Sequence, residues 1–209
     1  MEDFWRQLDI FVPKDQKITV IGAGGIGSWV VLGLVKTGFK VISVWDGDII
    51  EPHNIPNQLF EMDQCGINKA LALNYHMPVV TPKTKHWEGE DISSTVIVIA
   101  TDNMEVRKRI VETQRANLIV DCRIGGEIIR IVSVSLVDYG SKAYYLDTWY
   151  PSGDASDLPC TAQSIADVGF FVGGFACNLI RKFLKDSIVI RELVFSAKTL
   201  DILKVEKEL

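Results

Sequence analysis

Nothing in this sequence repeats: it has no low-complexity tract, no heptad array and no internal period, which excludes solenoids, coiled coils and linker-like chains. Long hydrophobic runs are also missing. The longest, residues 168–180, is interrupted by Gly169, Gly173, Gly174, Cys177 and Asn178 and ends at Arg181-Lys182. It falls short of the ~20 residues a membrane span needs and reads as a buried core helix, so no membrane partner is expected. Basic charge is in deficit, with 22 Lys+Arg against 27 Asp+Glu and a net charge of −5. That argues against a nucleic-acid partner, because phosphate backbones are held by clustered Lys and Arg. The four cysteines, Cys65, Cys122, Cys160 and Cys177, include no C-x-x-C pair, which excludes a zinc site built from two such pairs and a small disulfide scaffold. His53, His76 and His86 are scattered at no metal-binding spacing. The sequence opens Met1-Glu2-Asp3, acidic and followed by no apolar run. No secretory leader is expected, and the cytoplasm is the default compartment.

What is present is a core-forming pattern. Of the 209 residues 47% are hydrophobic, enough to bury a core without staples, and one domain over 1–209 is expected. Residues 17–22 (KITVIG) read as a buried strand, 25–37 as a helix with Ile26, Val30, Val31, Leu34 and Val35 on one face, and 39–45 as a second strand. Their spacing suits a parallel strand–helix–strand unit. The polar stretch 48–65, with Pro52 and Pro56, predicts a loop; helices are expected over 68–75 and 104–115 and strands over 83–87, 95–100 and 118–122. The β-branched run 95–100 marks a strand covered on both faces. Beyond Gly125-Gly126, residues 127–137 and 142–147 alternate and predict a hairpin turning at Tyr139-Gly140. A loop at 150–159, a helix over 161–184 and a closing hairpin of 188–196 with 199–205 complete the reading. The predicted fold class is α/β: a Rossmann-like, doubly wound mixed sheet, parallel in its N-terminal part and antiparallel in its C-terminal strands.

The segment Gly22-Ala23-Gly24-Gly25-Ile26-Gly27 is G-x-G-x-x-G set between a strand and a helix. Such glycines allow a tight turn and let backbone N–H groups meet a phosphate at the helix start. Asp46 ends the next strand, where an acid bonds a ribose hydroxyl. By itself this pair fits NAD, FAD or ATP equally well.

The residues downstream are more selective. Asp46-Gly47-Asp48 leads through Ile50 and Asn54 to Asn57-Gln58; Gly66 precedes Lys69-Ala70; Thr101-Asp102-Asn103 is followed by Arg107; and Arg6-Gln7 lies near the N-terminus. In this order the segments resemble the ThiF/MoeB/HesA family of ubiquitin-activating-enzyme-like adenylyltransferases, over roughly 3–126 and more loosely beyond. The family pattern is G-x-G-G-x-G-S, D-x-D-x-[VI]-x-x-x-N-x-x-R-Q, a lysine before alanine, and T-D-[NS]-x-x-x-R.

The resemblance implies ATP-dependent adenylation of the C-terminal carboxylate of a small ubiquitin-like or sulfur-carrier protein ending in Gly-Gly, with ATP and Mg²⁺ as cofactors. It implies that the backbone of Gly22, Gly24, Gly25 and Gly27 faces the triphosphate and that Asp46 holds the ribose. Asp48, Asn54 and Gln58 would line the nucleotide site, Lys69 contact the phosphates and Asp102 bind the metal. The family's two-fold dimers imply a homodimer in which Arg6 reaches the partner's site. Adenylation demands cations and oriented donors, because charge builds on the phosphates. Here the chain departs from its relatives: the arginine before the glutamine is Asn57, a neutral side chain that cannot replace a bidentate cation. Arg6, Lys69, Arg123 or a partner residue is then left to supply the charge.

Cys160 stands ahead of a predicted helix, where a thiolate is favoured. It is either an acyl acceptor, as in some family members, or a small structural residue. Asp102 either binds metal or caps the helix after it; Arg107 reads as a structural partner of a loop carboxylate, and Cys122 and Cys177 as core. Three other functions stay open: adenylation of a carboxylate on tRNA or a peptide, an NAD-dependent oxidoreductase, and a non-catalytic partner subunit of a heteromeric activating enzyme.

Overall fold

The computed structural model describes residues 6–13, 15–152 and 165–206. The N-terminal half alternates strand and helix: β1 (Lys17–Ile21), α1 (Gly27–Thr37), β2 (Val41–Trp45), α2 (Lys69–His76), β3 (Val80–Lys83), β4 (Val96–Ile99) and α3 (Met104–Thr113). There follow β5 (Leu118–Gly125), β6 (Ile128–Ser135), α4 (Ser141–Asp147), α5 (Ala166–Asp186), β7 (Ile190–Ser196) and β8 (Ile202–Glu206). The eight strands form one sheet in the order β3-β2-β1-β4-β5-β6-β7-β8. Pairing is parallel from β3 to β5 and antiparallel from β5 to β8. This is the mixed sheet the sequence predicts, and its chain order reverses direction around β1 and β4, the place where open sheets bind ligands.

Layering follows from side-chain alternation. Along β4, Val96 and Val98 join the core beneath α1, α2 and α5, while Ile97 and Ile99 join a second core with Ile110 and Val111 of α3 and Tyr145 of α4. All four β4 residues are buried, as a strand covered on both faces requires. α1 stops at Gly38, whose left-handed backbone (φ 97°) lets its N–H and that of Phe39 close on the Val35 and Leu34 carbonyls. No helix among the described residues is long and apolar enough to cross a membrane.

Two local expectations need correction. Residues 142–147 form helix α4, not a strand. β6 already has β5 on one edge and β7 on the other, so no edge remains for a further partner, and the β6 hairpin is made with β5 across Gly126. Ser141 instead winds the chain into a helix: its hydroxyl donates to the Asp138 carbonyl (2.6 Å) and accepts from the Ser135 N–H (2.9 Å). The third strand covers Val80–Lys83 rather than 83–87; Pro82 sits on this edge strand, where a missing N–H breaks no inner ladder. The helix expected from 161 is described from Ala166 onward. The loop 153–159 and Cys160 lie outside the described residues.

Candidate functional site

A cleft of about 790 Å³ opens at the carboxyl ends of β1, β2 and β4. Its first wall is the glycine turn. Gly22 has φ 97°, and a Cβ there would stand 2.6 Å from the Ala100 carbonyl oxygen. At Gly27 a Cβ would lie 1.8 Å from the Gly22 carbonyl oxygen. These two glycines serve close backbone approach, which lets α1 start directly over the strand ends. Gly22, Gly24 and Gly25 line the cleft, whereas Gly27 packs behind it.

Asp46 pins this turn. It is 6% exposed; one carboxylate oxygen accepts the Ala23 N–H (2.6 Å) and the other the Asp48 N–H (2.8 Å). Burial raises its pKa above the ordinary value, against the lowering effect of those two N–H groups and of Lys69. Asn68 caps α2 by accepting the Leu71 N–H, and its amide donates to the Asp46 and Asp48 carbonyls. That places Lys69, 8% exposed, with its ammonium 3.2 Å from the Asp48 carboxylate. His86 approaches the other Asp48 oxygen at 3.5 Å.

On the far side, Asp102 is exposed in the cleft at the end of β4. The helix cap is Asn103, which accepts the Val106 N–H (2.9 Å), so the capping alternative for Asp102 is replaced by its neighbour. Below lies a buried ionic group. Asp121, wholly buried, takes the Arg107 guanidinium on one oxygen and Arg123 on the other, at 2.8 Å from Nε and 2.7 Å from Nη2. Arg107 also donates to the Cys122 carbonyl (2.9 Å) and Arg123 to that of Thr148 (3.3 Å). Burial works against the Arg123 cation, but Asp121 and Tyr145 together hold its pKa above the ordinary value. Arg107 is thus a structural ion-pair residue, its partner a buried strand carboxylate rather than one on a loop.

Of the residues singled out in the sequence, Gly22, Gly24, Gly25, Asp46, Asp48, Asn57, Gln58, Lys69 and Asp102 meet in this one cleft. Three do not line it. Arg6 is exposed elsewhere, Gly27 is packed as above, and Asn54, 5% exposed, uses its side-chain oxygen to accept the Glu51 N–H (3.0 Å). Asn54 shapes the loop rather than touching its contents. Cys160 lies outside the described residues. The sequence reading missed Trp45, His86, Tyr150 and Ser152 as lining residues and took Arg107 as structural only, whereas Arg123, one of the residues it left to supply the missing charge, does line the cleft. Arg123 carried a readable signal, since it lies just past the end of the parallel ladder, where Asp46 and Asp102 also lie.

The profile of the ThiF family matches residues 12–120, more than half of the chain. The chain belongs to the ThiF family. Among its relatives, Cap2 of Enterobacter hormaechei, an ATP-dependent ubiquitin transferase-like protein, is 25% identical over 144 residues, 67% of this chain and 22% of Cap2. The NEDD8-activating enzyme E1 catalytic subunit of Dictyostelium discoideum is 30% identical over 142 residues, 63% of this chain and 32% of that subunit. This ThiF-family chain therefore spans about a fifth to a third of the length of those curated relatives. In structure, Escherichia coli MccB, solved with ATP, superposes with a TM-score of 0.67 at 17% identity, covering 93% of this chain and 64% of MccB. That likeness concerns the fold.

The cysteines of this ThiF chain divide by environment. Burial pushes the Cys177 thiol up to about 12 and raises Cys122 further. Both should resist iodoacetamide at pH 8 in the folded protein and react once it is unfolded in guanidinium, while half-buried Cys65 reacts in the native state. Peptide mass spectrometry reads this directly; native labelling of Cys122 would mean the central sheet opens.

Proposed function

We propose that this chain binds ATP in the cleft and adenylates the C-terminal carboxylate of a small ubiquitin-like or sulfur-carrier protein ending in Gly-Gly. The observation carrying this reading is that the glycine turn, Asp46, Lys69 and Asp102, far apart in sequence, line one cavity of a size that holds a nucleotide. A carboxylate oxygen attacks the α-phosphorus, a new C(O)O–P bond forms, and the bond to pyrophosphate breaks. Negative charge moves onto the leaving phosphates, so preorganised donors do most of the work. The Gly24 and Gly25 backbone faces the phosphates. Asp46 keeps lone pairs beyond those used by Ala23 and Asp48 and accepts a ribose hydroxyl. Lys69 exchanges Asp48 for a phosphate oxygen.

The residues present fit Mg²⁺ in one particular way. No group of three or more His, Cys, Asp or Glu gathers among the described residues, but Asp102 offers an exposed carboxylate in the cleft. Mg²⁺ is commonly held by one or two carboxylates with substrate phosphates and water. Bound there, it supplies charge neutralisation on the phosphates. In the fuller version of this scheme the Cys160 thiolate attacks the acyl carbon of the adenylate, a thioester forms, and the C(O)–O bond breaks with AMP as the leaving group. The chain acts as one adenylation domain in a cytoplasmic homodimer, with Arg6 serving the partner copy's cleft.

The test is calorimetry with ATP plus Mg²⁺ and, separately, with NAD⁺, followed by pyrophosphate exchange with candidate carriers. ATP should bind, NAD⁺ should not, and Asp102→Ala should slow exchange about 100-fold or more. Binding of NAD⁺ alone would transfer the chain to hydride chemistry. Binding of neither would favour a second reading, a non-catalytic half of a heteromeric activating enzyme, to which Asn57 in the arginine's place already points. In the same assay, an equimolar mixture of Arg6→Ala and Asp102→Ala proteins should regain activity if sites are shared between copies; a mixture as inactive as its parts removes the trans role of Arg6.

A further inference from the structure

The cations of the cleft are unevenly paired with its carboxylates. Among the described residues its cations are Lys69, Arg107 and Arg123. Lys69 is matched by Asp48 at 3.2 Å. Arg107 and Arg123 share a single carboxylate, Asp121, so one positive charge is left over on the β5 side. Over the whole cleft, with Asp121 beneath it, four carboxylates face three cations, but Asp46 is turned to two backbone N–H groups and Asp102 stands exposed at the end of β4, so neither relieves the uneven pairing on β5. A surplus cation in so enclosed a place is costly unless an anion completes it.

Position indicates which anion. In the parallel ladder Asp121 stands opposite Ile99. Arg123, two residues further along β5, lines the same cleft as the glycine turn and Asp102. Its guanidinium is held by Asp121 and by the Thr148 carbonyl and lies over the rings of Tyr145 and Tyr150, 5.4 and 5.9 Å from their centroids. A guanidinium carries five N–H donors, so donors remain after these bonds. Arg107 is more fully enclosed, its Nη1 shared between Asp121 and the Cys122 carbonyl, and it positions the carboxylate.

We infer that Arg123 binds the β- and γ-phosphates of the nucleotide and supplies, from the end of β5, the cation that Asn57 withholds. This rests on the ATP reading above. Arg107 and Asp121 are positioning residues: the carboxylate fixes the plane of the Arg123 fork, and Arg107 keeps that carboxylate from cancelling its charge. The chain has in effect moved a phosphate-binding arginine from the 46–58 loop to the sheet.

The test compares ATP with AMP, which lacks the two outer phosphates, both with Mg²⁺, by calorimetry. The wild-type protein should bind ATP at least about tenfold more tightly than AMP, the effect of one charge-assisted contact. Arg123→Gln should weaken ATP about 10- to 100-fold and leave AMP within about twofold. This variant keeps Asp121 paired one-to-one with Arg107, so its buried charge stays balanced; Arg123→Met is the alternative if the glutamine variant melts early. Asn57→Arg placed in the Arg123→Gln background should restore ATP binding. Equal wild-type affinity for ATP and AMP would overturn the inference without any variant. So would parallel losses for both nucleotides in Arg123→Gln, or no recovery with Asn57→Arg. If the wild type binds neither nucleotide, the ATP reading itself fails, a result distinct from all of these.

Discussion

Asp121→Ala is expected to cost the folded protein about 3–5 kcal/mol, the typical penalty for removing one partner from a buried ion pair. Asp121 is wholly buried, and the two arginines it joins are 4% and 7% exposed. Without the carboxylate two guanidinium groups face each other across a cavity with no counter-ion and little water. For a chain of this size each kcal/mol moves the melting temperature by roughly 2–4 °C, so a fall on the order of 10 °C should appear in a thermal melt. Asp121→Asn keeps the shape and loses the charge, and should recover only a small part. A loss under about 1 kcal/mol in urea titration would mean that water reaches the arginines and that the group is not buried in solution. Phosphate binding is expected to disappear with the carboxylate, since nothing then holds the Arg123 fork.

Gly27→Ala is the second large effect. The added methyl would lie 1.8 Å from the Gly22 carbonyl oxygen and 2.8 Å from its carbon. No flexible side chain can yield, because the obstacle is backbone. The start of α1 must move off the sheet, at a cost of about 3 kcal/mol, the upper end of overpacking penalties, together with loss of nucleotide binding. Gly24→Ala is the control. Its methyl would meet only the Gln58 amide nitrogen at 3.9 Å, an ordinary contact, so stability should change by less than about 1 kcal/mol. Because Gly24 lines the cleft, nucleotide affinity should still fall in that variant. Equal stability losses at Gly24 and Gly27 would contradict the packing described here.

Much of the candidate site was legible because its parts are punctuated. A glycine cluster after a β-branched run, an acid closing the next strand and Thr-Asp-Asn before a helix are each local patterns, and strand ends bring them together. The reading failed where local pattern and global pairing disagree. Residues 142–147 alternate well enough for a strand, but a six-residue segment fits either period, and the occupied edges of β6 left only the helix. Asn54 matches a family position, yet its side chain spends its oxygen on the Glu51 N–H. Arg107 is a helix residue whose partner is fourteen positions away on a strand, a pairing no spacing announces.

By itself the sequence determined the alternation of strand and helix in the N-terminal half, the parallel-then-antiparallel sheet and the place of the glycine turn, since these follow from hydrophobic period and from the few residues that permit a tight turn. Only the tertiary structure decided how charge is distributed. A carboxylate's effect depends on which cations share it and how much water it has lost, and both depend on neighbours brought in from distant strands. Asp48 neutralising Lys69, and Asp121 leaving one of two arginines in surplus, are consequences of packing that no window along the chain contains.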